Sequence, residues 1–291
     1  MQDFEYVVPH SIQDAAAALS RGNGGGRVLA GGTDLLVQLR EGRRKTQRVV
    51  DIKHIPEVNE LSYHPDSGLR IGAAVPCYRI AAYTREQAIY PGLRMAVELV
   101  GGTQIQGRAS LGGNLCNASP AADTIPALIV HRAVCQVFGA GGYREVAVED
   151  FCNAPGRTVL AADEFLVSFL IPPARAGFGA AYLRFTPRNE MDIAVVGAGA
   201  SVELNERRTT FVSARLALSA VAPTPLWVPA VGSYLAGREV TLETIREAAG
   251  IAQDASRPID DMRGTAVQRK HLAAVFSRRA LEAAVAQARE M

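Results

Sequence analysis

At 291 residues, with 48% hydrophobic side chains, the chain exceeds the usual size of one domain core, and two domains are expected. Thirty-one basic and 29 acidic residues leave a formal net charge of +2, which excludes the strongly basic balance of a general nucleic-acid binder. No apolar run approaches 18 residues, so no membrane span is expected. The first ten residues lack a secretory pattern, which points to the cytoplasm.

Ser11 precedes an Ala-rich helix over 12–19 with Asp14 in its first turn, an N-cap arrangement. Gly22, Gly24, Gly25 and Gly26 end it. A short strand is expected over 27–30, a break at Gly31-Gly32-Thr33-Asp34, a helix over 35–40 and a strand over 49–52, together a βαβ-like unit. Leu61 to Tyr63 and Leu69 to Ala74 flank Pro65-Asp66-Ser67-Gly68, a hairpin signature. Helices follow over 78–84 and 93–100. From Gly101 to Thr124 the chain shows little periodicity and reads as a long functional loop. Apolar runs return at 125–130, 134–138 and 165–171. Pro172-Pro173 marks a domain boundary. Strands are expected over 181–185, 193–204 and 211–219, then helices over 242–252 and 268–290.

The strand–Gly31-Gly32–helix arrangement lets main chain approach a phosphate, with amides and a helix start as donors. Charge-assisted bonds of this kind are worth about 1.5–3 kcal/mol each, so a few suffice without a Lys. Ser110-Leu111-Gly112-Gly113-Asn114, leading into Asn117-Ala118-Ser119-Pro120 and Asp123, repeats the logic. Either Gly-Gly turn could be an ordinary connection; the pair suits a ligand with two phosphates. Gly197-Ala198-Gly199 begins like a dinucleotide fingerprint but sits inside an apolar strand with no helix following, so it is read as close backbone packing. The four cysteines, Cys77, Cys116, Cys135 and Cys152, lie far apart in sequence without a CxxC pair and are read as buried hydrophobes rather than metal ligands. Five scattered histidines form no catalytic or metal motif, and surface or locally hydrogen-bonded roles are expected. Arg40, Arg43, Arg44, Lys45 and Arg48 form a basic stretch, read as a solvated loop or a partner-docking face. Tyr182, ahead of Arg184, could stack on a ring system or simply pack.

The two Gly loops with Asp123 resemble the FAD-binding subunit of molybdenum hydroxylases, the family of xanthine dehydrogenase, aerobic carbon monoxide dehydrogenase and 4-hydroxybenzoyl-CoA reductase. Asp192-Ile193-Ala194, Val221-Ala222-Pro223-Thr224-Pro225 and Arg269-Lys270-His271-Leu272 resemble the C-terminal module of that family. The resemblance implies an α+β chain: an FAD-binding domain of the vanillyl-alcohol-oxidase/PCMH type over 1–175, with subdomains of about 1–57 and 58–175. A carbon monoxide dehydrogenase flavoprotein C-terminal domain follows over 176–291. It implies FAD held by Val28, Leu29, Ala30, Gly31, Gly32, Thr33, Asp34, Leu35, Val100, Ser110, Leu111, Gly112, Gly113, Asn114, Asp123, Leu166, Tyr182 and Arg184. No metal ligand and no acid–base catalytic group is implied in this chain.

Partners implied are a large subunit with a molybdenum–pterin centre and a small subunit with [2Fe–2S] clusters, assembled as one or two trimers. Electrons would pass from those clusters through the flavin to NAD, a quinone or oxygen. Ser110-Leu111 stands where the family usually has Thr-Ile, and Gln104 to Arg108 departs from the common pattern. The cysteine-bearing insertion that holds a [4Fe–4S] cluster in one branch is absent from the sequence. Two alternatives remain: a self-contained reductase resembling UDP-N-acetylenolpyruvoylglucosamine reductase, and a non-catalytic nucleotide-binding protein. If the loops hold phosphate, Gly32→Val and Gly113→Val should each expel FAD.

Overall fold

The computed structural model describes residues 3–21, 25–189 and 191–290. Gly22 and Gly24 of the expected helix end lie outside the described residues. The chain opens as β1 (Glu5–Val7), α1 (Ile12–Ser20), β2 (Gly26–Leu29), α2 (Leu35–Arg40) and β3 (Arg48–Asp51). Ser11 caps α1, its side chain accepting from the Asp14 amide. The strands form a parallel sheet of order β1-β3-β2, so β2, α2 and β3 make the expected βαβ unit. Parallel sheets present ligand crevices at the carboxyl ends of their strands, and the Gly31-Gly32 turn leaves β2 at that end.

Next come β4 (Leu61–His64), β5 (Gly68–Gly72), α3 (Cys77–Glu86), α4 (Pro91–Glu98), α5 (Thr103–Gln106), α6 (Leu111–Asn117) and α7 (Thr124–Val130). They are followed by β6 (Val134–Gly139), β7 (Gly142–Ala147), β8 (Cys152–Ala154), β9 (Arg157–Thr158) and β10 (Phe165–Ile171). The predicted hairpin closes with Gly68 at φ +88°, a conformation that glycine adopts without strain. The antiparallel sheet runs β4-β5-β10-β6-β7. Here the sequence reading needs correction. The supposed long loop from Gly101 to Thr124 contains α5 and α6, too short to show a 3.6-residue period. The apolar run at 125–130, whose type the sequence leaves open, is the helix α7, buried along its whole length, which erases any polar face.

The last part is β11 (Phe178–Phe185), β12 (Val196–Leu204), β13 (Phe211–Ser219), β14 (Leu226–Trp227), α8 (Pro229–Leu235), α9 (Leu242–Ala255) and α10 (Ala266–Glu290). Its strands form one antiparallel sheet in sequence order, with α10 packed across β11 and β12. The Gly197-Ala198-Gly199 stretch lies inside β12, where a Cβ on Gly199 would come within 2.9 Å of the Pro126 backbone on α7. Close packing is what those glycines provide. The opposite face of this sheet meets α4 and α7: Ser201 Oγ donates to the Val130 carbonyl (2.8 Å), and Arg215 Nε to the Ile129 carbonyl (3.0 Å).

His131 closes α7 beneath that junction, its ring 5.7 Å from that of Tyr90 and 5.8 Å from that of Phe178. Nδ1 lies 2.7 Å from the Ala127 carbonyl, which can only accept, so Nδ1 carries the proton. Burial pushes the imidazole down to about 4. The unfolded chain therefore takes up a proton near pH 6.5 that the folded chain refuses until about pH 4. Stability is intact above pH 6.5 and falls between those values by about 3 kcal/mol, at 1.36 kcal/mol per unit. Urea unfolding at pH 7 and pH 4.5 should show this loss, and His131→Leu should flatten the slope.

Candidate functional site

The Gly31-Gly32 turn ends β2 with the chain redirected into α2. Gly32 takes φ +78°, and a Cβ there would crowd Leu29 and Leu36 at 2.9 and 3.0 Å. Gly32 is thus required by the turn itself. Gly31 has another reason: a Cβ on it would strike the Arg108 carbonyl oxygen and come within 3.1 Å of the Ala109 Cα. The two Gly loops, distant in sequence, touch backbone to backbone at this point. The amides of Gly31, Gly32, Thr33, Asp34 and Leu35 have no acceptor among the described residues. Five donors are therefore free around one turn.

Across the contact, Ser110 caps α6, accepting from the Gly113 amide at 3.1 Å. This preserves the hydroxyl function expected from the Thr it replaces. Gly112 faces inward, where a Cβ would sit 2.5 Å from the Ala73 carbonyl oxygen. Gly113 faces the other way: a Cβ would meet nothing nearer than Ser110 Oγ, at 3.3 Å. One glycine seats the helix on the chain just past β5, and the other leaves its outer side open. Leu111 is fully buried. Asn114 Oδ1 accepts from Thr124 Oγ1 (2.6 Å), and Gln38 of α2 donates to Asn117 Oδ1 (3.0 Å), tying the loops together a second time.

Asp123 joins the second loop to the C-terminal sheet. Its Oδ1 accepts from the Tyr182 hydroxyl (2.7 Å), and its Oδ2 pairs with Arg184 Nη1 (2.6 Å), both on β11. Burial raises the Asp123 carboxyl, and the Arg184 charge and the two hydrogen bonds pull it back. Of the two roles open to Tyr182, the structure shows packing: its ring is 0% exposed and presents no face, its hydroxyl donating to Asp123. Leu166 is also a core side chain, at a bulge of β10 against β6. Val100 follows α4 at partial burial, and Val28 and Leu29 lie within β2. Asp34 is exposed and caps nothing; desolvation raises its carboxyl, and Arg43 opposes the shift.

Sequence reasoning missed the Arg108–Ala109 backbone, the Thr124 hydroxyl and Gln38. The first had no signal, because a carbonyl contact is independent of side-chain identity. The cysteines also sit closer than their spacing suggests: the Cys116, Cys135 and Cys152 thiols repel one another's ionisation, and burial pushes Cys116 to about 12 and Cys152 to about 11. They stay protonated. Among the described residues no cluster of His, Cys, Asp and Glu could hold a metal, and no helix is long and apolar enough to cross a membrane.

The family described as the FAD binding domain in molybdopterin dehydrogenase matches residues 2–174, and the CO dehydrogenase flavoprotein C-terminal domain matches residues 181–284. The chain belongs to the FAD-binding subunits of the molybdenum hydroxylases. This flavoprotein subunit is 29% identical over 289 residues to the xanthine dehydrogenase FAD-binding subunit of Escherichia coli O157:H7, covering 98% of each chain. It is 31% identical over 287 residues to the carbon monoxide dehydrogenase medium chain of Afipia carboxidovorans, again covering 98% of each. Among solved structures, the carbon monoxide dehydrogenase of Hydrogenophaga pseudoflava superposes with a TM-score of 0.93 at 29% identity, over 98% of both chains. Quinoline 2-oxidoreductase from Pseudomonas putida 86 gives 0.89 at 26%, over 99% of this chain and 98% of that one. The subunit is thus an oxidoreductase component with the two-domain architecture expected. Five free amides and the open side of Gly113 fit a pyrophosphate bound by main chain.

Proposed function

We propose that residues 30–35 and 110–114 enclose the pyrophosphate of FAD through main-chain amides. Asp123, fixed by Tyr182 and Arg184, holds the tail of the second loop against the cofactor. Val28, Leu29, Val100 and Leu166 shape the walls, with Leu111 and Asn114 supporting α6. The FAD domain spans 1–175, with subdomains of about 1–57 and 58–175, and the C-terminal domain spans 176–291. The supporting observation is the seating of Gly31 on the Arg108–Ala109 backbone beside unpartnered amides. When bound, FAD supplies the redox chemistry, and the chain supplies position and electrostatics.

The relatives named as subunits and medium chains support a larger assembly. In it a [2Fe–2S] subunit delivers electrons from a molybdenum–pterin subunit, and this chain passes them to an external acceptor such as NAD, a quinone or oxygen, in the cytoplasm. The assembly is one or two copies of a heterotrimer.

The purified chain should carry non-covalent FAD, visible as flavin absorbance that bleaches on reduction; a colourless protein that cannot be reconstituted would falsify the loop assignment. Gly113→Val should lose FAD while keeping the unfolding temperature of flavin-free wild type, because its side chain enters only the open side. Gly32→Val should lose both, since its φ is positive. Equal FAD retention in wild type and Gly113→Val would place the cofactor elsewhere.

A further inference from the structure

The basic segment between α2 and β3 is not used by the cofactor site. Arg48 is satisfied internally, donating to the Ala18 and Arg21 carbonyls at 2.8 and 2.7 Å and pairing with Glu5. Arg43 pairs with Glu41 at 2.5 Å. Arg40, Arg44 and Lys45 have no acidic partner among the described residues, and neither does Arg27 on β2. Burial and the nearby Arg44 charge push the Arg27 guanidinium down. Arg44 also reaches over the β8–β9 turn, its Nη2 3.7 Å from where a Gly156 Cβ would lie. Arg157, exposed at the start of β9, adds another cation with no acidic partner among the described residues.

Shape and position narrow the ligand. Arg27 and Arg157 are exposed at strand starts, Arg40 at a helix end and Lys45 in a connection, and only Arg44 is partly buried. A small anion is held by donors converging in a concavity. Exposed cations spread over separate elements instead match carboxylates spread over a protein surface, where charge complementarity sets orientation and encounter rate. The patch also borders the cofactor site. The Arg44 amide donates to the Gln38 carbonyl (3.2 Å), Gln38 bonds Asn117, and the Gly156 amide donates to the Ala118 carbonyl (3.0 Å).

We propose that Arg27, Arg40, Arg44, Lys45 and Arg157 dock an acidic face of a partner subunit beside the end of α6. This rests on the reading of the chain as one subunit of an electron-transferring assembly. The test is the charge reversal Arg40→Glu/Arg44→Glu/Lys45→Glu, made in a tagged chain purified with its assembly. FAD content should stay at the wild-type level, whereas partner affinity should fall by ~10-fold or more. Wild-type affinity should fall steeply between 0.1 and 1 M salt, as the Debye length shrinks from about 10 to about 3 Å, and the variant should have lost that dependence. Carbodiimide coupling should join Lys45 to a carboxylate of the partner.

Unchanged partner affinity with unchanged salt dependence overturns the docking assignment while leaving the assembly reading intact. So does a variant that keeps its partner but loses affinity for inorganic pyrophosphate. A wild-type chain recovered with FAD and without any partner overturns both.

Discussion

Gly31→Ala should release FAD and destabilise the protein by about 1–3 kcal/mol, the range for forcing extra atoms into a packed site. The added carbon would overlap the Arg108 carbonyl oxygen. Neither side can yield cheaply. Arg108 and Ala109 hang from Ile105 through amide-to-carbonyl bonds of 2.9 and 2.7 Å, and the Ala109 carbonyl accepts from the Cys77 amide at 2.8 Å. The loops must part, and with them the two sets of amides assigned to the pyrophosphate. Flavin absorbance per protein and the urea midpoint measure the two effects. A Gly31→Ala protein with full flavin content would show that the loops need not touch for binding.

Asp123→Ala should cost about 3–5 kcal/mol, because it strands the Arg184 guanidinium in the interior without a counter-ion. That side chain is only 5% exposed, and the Tyr182 hydroxyl loses its acceptor as well. Asp123→Asn should cost less, since an amide oxygen still accepts from Tyr182. The double replacement Asp123→Ala/Arg184→Met should recover part of the loss by removing the orphaned charge. Urea unfolding of the four proteins provides the comparison. A single Asp123→Ala variant within about 0.5 kcal/mol of wild type, the range of ordinary surface changes, would mean that the pair is not buried in solution.

The sequence was legible where one physical signal dominated. Helix 35–40 and strand 211–219 were readable to the residue from their apolar spacing and polar ends. The Ser11 cap and the Pro65–Gly68 turn were readable from side-chain chemistry alone. β7 was missed because its Tyr143-Arg144-Glu145 centre is an exposed sheet edge without apolar alternation. α8, opened by Pro229, is only 7 residues long.

At the site, the glycine pairs were visible, but the role of each member was not. Gly32 serves its own turn, Gly31 a distant carbonyl, Gly112 the sheet beneath and Gly113 open space. Those roles depend on which backbone lies opposite, which no local pattern encodes. Tyr182 was open to stacking or packing on sequence alone, and its partner, the Asp123 carboxylate, is supplied by a segment 59 residues away.

The Asp123 anchor also bears on how the protein is made. Residues 110–123 leave the ribosome long before β11, yet Asp123 finds its counter-ion only when Arg184 has emerged. The Pro120 carbonyl waits longer still, for the Ala220 amide (2.7 Å). Domains tend to fold in order of synthesis, and here the earlier one reaches its final form only through the later. Tight loading of the flavin would therefore be a late event on a nearly finished chain, and a polypeptide interrupted after Pro172-Pro173 would carry both glycine loops and still hold the cofactor poorly.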